Sequence, residues 1–237
     1  MVKNSLLSTE SPLHSVAKIA ANRALVVAPH PDDETLGCGG AIALLRSIGC
    51  DVSVLVVSDG TLSHPNSQKY PPLALRELRE SETMAALAIL GVEAKAITFL
   101  RLPDGSVSSK DPDLSNYLTQ VAPEIVFLPL RYDPHLDHRA SFELISNALT
   151  SLKSIARRVE YPIWDWDDSQ SKNWDDSKLK SWRLDISFVG ELKQQAIACY
   201  RSQITNLIDD DPQGFRLTEE MLANFTRPVE VYLEEYK

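Results

Sequence analysis

The chain has 237 residues, 43% hydrophobic and 24% charged, the balance of an ordinary soluble globular protein with apolar mass for a sizeable core. Its formal net charge of −9 lacks the basic footprint that a nucleic-acid or anionic-membrane partner requires, so an acidic substrate would need a local basic site. Cys38, Cys50 and Cys199 are an odd set with no CxxC pair, which points neither to a disulfide framework nor to a cysteine zinc site and fits a reducing cytoplasm.

Residues 1–22 read as an N-terminal extension without a continuous apolar run, and no later stretch approaches the roughly 20 apolar residues of a membrane span. Neither a signal peptide nor an anchor is expected. From residue 23 onward, apolar runs and helical periodicities alternate. ALVVA (24–28) suits a strand buried on both faces. LGCGGAIALLRSI (36–48) reads as a helix stopped by Gly49. DVSVLVVSDG (51–60) is a second strand running into a loop, and Leu73–Leu90 is an amphipathic helix followed by Gly91. AITFL (96–100) is a third strand.

DPDLSNYLTQVAP (111–123) predicts a helix with Asp111 as N-cap and Pro112 in its first position. EIVFLPL (124–130) is a fourth strand, followed by a helix from His138 to about Lys153. Beyond residue 155 the pattern weakens: a strand over 157–166, a polar loop over 167–178, a strand over 182–189, a helix over 191–203, and a last strand, VEVYLEE (229–235), closing the sheet edge. This order predicts a single α/β domain, a Rossmann-like, doubly wound, mostly parallel sheet with a C-terminal elaboration. Functional residues then belong at the carboxyl edge of the sheet.

Two clusters sit at that edge. PHPDDE follows the first strand and carries His30, Asp32 and Asp33; YDPHLDH follows the fourth and carries His135, Asp137 and His138. Pro31 starts a tight turn that lets the side chains of His30 and Asp33 converge. Two histidines and one carboxylate with a vacant position are a catalytic zinc set, and a cation offsets the repulsion among the neighbouring aspartates. Each cluster alone has a plainer reading, an N-cap turn or a solvated helix start; their joint placement after two strands of a parallel sheet favours a metal site. GCGG (37–40) lacks a full dinucleotide fingerprint and reads as close helix-to-sheet packing.

APHPDDETLGCGG together with DPHLDH resembles the PIG-L/LmbE-like family of zinc-dependent deacetylases acting on N-acetylated sugars. The resemblance continues in RESETMAALAILGV (79–92), LPDG (102–105), KQQAIACYRSQ (193–203) and the final EVYL, so it covers residues 23–237. It implies that His30, Asp33 and His138 hold one Zn2+, or another divalent transition metal, per chain. It further implies that Asp32 is the general base for zinc-bound water, that His135 stabilises the oxyanion or donates a proton with Asp137 orienting it, and that Arg79 lies near the substrate. Leu136 stands where members often have proline. The reaction so implied releases an acetyl group from a small N-acetylated sugar or sugar conjugate.

Two other classes use a similar ligand count: iron(II) oxygenases with a two-histidine, one-carboxylate triad, and a non-catalytic carbohydrate-binding protein with a structural metal. Arg79 has an alternative reading as a surface partner of Glu82. Trp164, Trp166 and Trp174 could stack on a sugar ring, with packing the default. Asp59-Gly60 and Asp104-Gly105 end strands and could line the pocket but read first as turns, Glu34 as an outer-layer or first-turn helix charge, and His14 and His64 as residues without a functional partner.

Overall fold

The computed structural model describes residues 10–110, 112–164 and 178–235. Its centre is an eight-stranded sheet in the order β1-β7-β8-β6-β5-β2-β3-β4. The strands are β1 (Leu13–His14), β2 (Arg23–Ala28), β3 (Asp51–Ser58), β4 (Ile97–Leu102), β5 (Ile125–Pro129), β6 (Arg157–Tyr161), β7 (Leu179–Asp185) and β8 (Val229–Glu235). Five of them, β4, β3, β2, β5 and β6, run parallel, as continuous apolar strands covered on both faces require. In β2 the side chains of Ala24, Val26 and Ala28 join one core layer. Leu25 and Val27 join the other.

The helices are α1 (Asp33–Ser47), α2 (Pro72–Ile89), α3 (Ser115–Val121), α4 (Leu136–Ser151), α5 (Gly190–Ile197), α6 (Arg201–Ile204) and α7 (Glu219–Ala223). The chain winds from β2 outward to β4, then returns to place β5 on the other side of β2. The β2/β5 boundary is therefore the topological switch point, where two loops diverge and leave a crevice.

The glycines of α1 do what close packing requires. A Cβ on Gly37 would lie 2.2 Å from the ring of Tyr161, and one on Gly40 would lie 2.5 Å from Ile186. Gly37→Ala is expected to destabilise the fold by about 1–3 kcal/mol through overpacking, whereas Gly190→Ala, with nothing within 4 Å of its Cβ, should leave thermal unfolding near the parent.

Several elements differ from the sequence reading. β8 lies inside the sheet, antiparallel to both β6 and β7, while the short β1 forms the edge. The helix expected from Asp111 starts at Ser115, whose N–H is taken by the Asp113 side chain at 2.9 Å; Asp111 itself lies outside the described residues. The helix expected over 191–203 is divided at Tyr200, whose backbone at φ −80° and ψ 55° is not helical and whose buried hydroxyl is drawn toward α1. The strand expected over 182–189 begins at Leu179 and gives way after Asp185 to a 3-10 turn at Ser187–Val189, where the Asp185 side chain accepts the Ser187 N–H. β6 ends at Tyr161, and the polar loop expected at 167–178 falls almost wholly outside the described residues.

Candidate active site

Two loops meet at the switch point. The loop leaving β2 brackets His30 between Pro29 and Pro31, and the His30 N–H donates to Asp33 Oδ2 at 2.9 Å. That bond turns both side chains to one side, with His30 Nδ1 3.3 Å from the same oxygen. The loop leaving β5 is organised by buried Asp133, whose Oδ1 accepts the His135 N–H at 2.8 Å. His135 then caps α4, its Nδ1 accepting the Asp137 N–H at 3.2 Å. This places fully buried His138 in the first turn of α4.

His138 Nε2 lies 3.3 Å from Asp33 Oδ2 and 3.3 Å from His30 Nδ1. The three donor atoms form a triangle with all sides equal. A tetrahedral ion bound at about 2.0–2.1 Å needs donors about 3.3–3.4 Å apart, so the triangle has the size of one face of such a site. Two other sets bring donor atoms within 4.8 Å: His30 with His135 and His138, and His30 with Asp104 and Asp137. They differ in what they offer: His135 Nδ1 accepts the Asp137 N–H and leaves Nε2, while the two acids lie on the far nitrogen of His30 and include a single imidazole.

Those acids complete the outer layer. His30 Nε2 faces Asp104 Oδ1 at 3.2 Å and Asp137 Oδ2 at 3.3 Å, and His138 Nδ1 faces Asp133 Oδ2 at 3.2 Å. A carboxylate behind each imidazole is the arrangement that orients a ligating histidine. Asp104, read from the sequence first as a turn residue, lines the cavity; Asp133 has no role in the sequence reading, and its one signal is an acid in the loop after β5, two residues before His135. The Asp137 carboxylate is directed to the Gly105 N–H at 2.7 Å, the Val107 N–H at 3.1 Å and His30. It thus holds the 105–107 loop, and what Asp137 offers His135 is its peptide N–H.

The charges are strongly coupled. Burial opposes the charged form of Asp33, but His138 and His30 outweigh it and hold the carboxyl far below the usual range. Burial likewise opposes the His138 cation, yet Asp33 and Asp133 raise it to about 9. His135 is shifted the other way, by burial and then by the charges of His30 and His138. With Nδ1 accepting the Asp137 N–H, neutral His135 carries its proton on Nε2 and is a donor.

Asp32 stands beside the triangle and lines a cavity of about 950 Å³. Burial raises its carboxyl to about 8 against the opposing charge of Arg79. Arg79 is itself buried: Nη1 donates to Gly60 O at 2.8 Å, and Nη2 to Pro31 O at 2.8 Å and Asp32 Oδ2 at 3.2 Å. Gly60, at φ 64°, admits this approach, since a Cβ there would lie 2.6 Å from Nη1. Glu82 is no surface partner of Arg79; it is buried and accepts from the Ser202 N–H and hydroxyl.

The remaining wall is mostly apolar, with Ile163, Trp164, Phe215, Leu217 and Phe225 facing Asp104, Arg79 and His135. Trp164 stacks against His135 at 6.5 Å between ring centres; Trp166 and Trp174 lie outside the described residues. His14 packs edge-on to Trp182, and His64 fills the space beside Gly214. Among the described residues no helix is long and apolar enough to cross a membrane.

Fold and site together define an α/β protein with a histidine–aspartate cluster able to hold a metal ion at the switch point of its sheet. The family model PIG-L, GlcNAc-PI de-N-acetylase, matches residues 25–149, and the chain belongs to that family. It is 30% identical over 201 residues to the diacetylchitobiose deacetylase of Thermococcus kodakarensis, covering 81% of this chain and 72% of that protein. A solved structure of N,N'-diacetylchitobiose deacetylase from Pyrococcus horikoshii superposes with a TM-score of 0.62 at 26% identity, over 79% of this chain and 73% of that one. GalB, the 4-carboxy-2-hydroxymuconate hydratase of Pseudomonas putida KT2440, superposes with a TM-score of 0.63 at 20% identity, over 92% and 97% of the two chains. That last likeness shows the fold alone.

Proposed function

We propose that this protein is a zinc-dependent hydrolase that removes the acetyl group from a small N-acetylated amino sugar or its conjugate. The observation that carries the reading is the 3.3 Å triangle of His30 Nδ1, Asp33 Oδ2 and His138 Nε2, with a further carboxylate, Asp32, on the adjoining cavity. These three residues would hold the ion, and zinc is the ion whose preference for nitrogen and carboxylate donors in a tetrahedral set they match. Bound there, zinc would act as a Lewis acid, polarising the acyl carbonyl and lowering the pKa of water.

The chain's own groups then divide the proton transfers. Asp32, whose carboxyl burial raises in the metal-free chain, would ionise beside the bound cation and accept the proton of the attacking water as general base. His135, a neutral donor through Nε2, stabilises the carbonyl oxygen as negative charge develops on it. As the C–N bond breaks the leaving amine takes the proton held by Asp32, and the products are acetate and a free amino sugar. Arg79 and Asp104 give the cavity a polar wall for sugar hydroxyls, and Trp164 a ring face. Asp32, buried beside the cluster, suits hydrolysis better than oxygen chemistry, and the cavity on the cluster suits turnover better than a structural metal closed by four protein ligands. The three unpaired cysteines suit a reducing cytoplasm.

The test is a screen of N-acetylglucosamine conjugates with detection of free amine, using metal-stripped and zinc-reloaded protein. Activity that follows zinc supports the reading; equal turnover in the stripped protein would sink the metal-dependent part of it.

A further inference from the structure

Asp32 has an unusual backbone, with φ 137° and ψ −29°. An L-residue held so costs about 1–3 kcal/mol and persists only where its surroundings over-determine it. The means of holding it are visible at both ends of one peptide unit. The Pro31 carbonyl accepts from Arg79 Nη2 at 2.8 Å, and the Asp32 N–H of the same peptide donates to Glu34 Oε2 at 3.2 Å. Glu34 is fully buried. Its other oxygen accepts from the Thr35 hydroxyl at 3.0 Å and from the Tyr200 hydroxyl.

Tyr200 comes from the break between α5 and α6, 166 residues from Glu34 in sequence. A first-turn acid that merely balanced the dipole of α1 would need neither burial nor this tertiary partner. We propose that Glu34, braced by Tyr200 and Thr35, is a positioning residue that fixes the Pro31–Asp32 peptide and so presents the Asp32 carboxylate to the cavity; this rests on Asp32 being the general base. Arg79 fixes the same peptide from its other end. Glu34 touches no substrate and acts through Asp32.

The chemistry of the site selects the variants. In Glu34→Gln the amide oxygen can still accept the Asp32 N–H, while its NH2 donates to the Tyr200 and Thr35 hydroxyls, which can reverse. Glu34→Met has similar bulk and no such acceptor. On zinc-loaded protein, Glu34→Met should lower kcat by about 10²-fold, the scale of a reacting group misplaced by an ångström, with KM and bound zinc at parental values. Glu34→Gln should recover most of that loss, and Tyr200→Phe should lie between the two. In an Asp32→Asn background Glu34→Met should cost little more, because residues acting as a unit are not additive.

Parental kcat in Glu34→Met, zinc lost in step with activity, or an undiminished further loss in the Asp32→Asn background would each overturn the proposal. If Glu34→Met does not fold, Tyr200→Phe, which removes one oxygen, carries the same test: lowered kcat at parental KM supports the proposal, and parental kcat contradicts it. Parental turnover in Asp32→Asn alone would instead remove the base assignment and this proposal with it. A loss in Asp32→Asn with none in Glu34→Met or Tyr200→Phe would leave the base and remove only the positioning role.

Discussion

Asp32→Asn is expected to lower kcat by ~10²–10⁴-fold, the usual cost of losing a general base, with zinc content near the parent. Asparagine matches aspartate in size and is comparably tolerant of positive φ, so the turn at φ 137° can persist and the Arg79 hydrogen bond can pass to the amide oxygen. What disappears is the ability to take up a proton. KM should move little, because the change falls on the transition state rather than on ground-state binding. Kinetics and metal analysis of the same preparation check this, and zinc loss matching the loss of rate would move Asp32 into the ligand set.

The second large effect is expected at the triangle. His138→Ala or Asp33→Asn should weaken zinc binding by more than the ~10–100-fold typical of an outer-layer partner, while Asp133→Asn should fall within that range. Activity lost in Asp33→Asn should be partly recovered at high added zinc, which separates it from Asp32→Asn. The pH dependence has a definite sign. Asp33 and Asp133 outweigh burial and raise His138 to about 9 in the metal-free chain, so it is protonated at neutral pH. Ligation requires the neutral ring; zinc affinity therefore falls as pH falls below that value, and zinc addition releases protons. Titration of zinc into weakly buffered protein reads both. Leu136→Pro is the control: Leu136 opens α4 after extended His135, a position where proline's missing N–H and fixed φ are harmless. Retained zinc in His138→Ala would contradict the ligand set.

What the sequence made legible follows from how local each signal is. The parallel strands were legible because burial on both faces leaves continuous apolar runs such as ALVVA; α1 and α4 were legible as helices, but the sequence places their starts at Leu36 and His138 and the structure places them at Asp33 and Leu136. The convergence of His30 with His138 was inferable because both follow strands of one parallel sheet, which places them at one edge before any distance is known. Tertiary choices were not legible. VEVYLEE reads as a strand anywhere, and only its pairing with β6 and β7 places it inside the sheet. The break at Tyr200 and the burial of Glu34 are two ends of one interaction, and neither segment announces the other. Arg79 and Glu82 share a helix face at a spacing that suggests a surface pair, but α2 is packed there, and the structure gives them separate buried partners.

The shared fold of a hydratase makes the reaction, rather than the architecture, the point to test. The most direct measurement is turnover of an N-acetylglucosamine conjugate by zinc-loaded protein in 18O-labelled water, with acetate and free amine quantified together. Hydrolysis at this site yields equal amounts of the two, with one labelled oxygen in each acetate. Unlabelled acetate, amine without acetate, or consumption of substrate with neither product would contradict amide hydrolysis at this site.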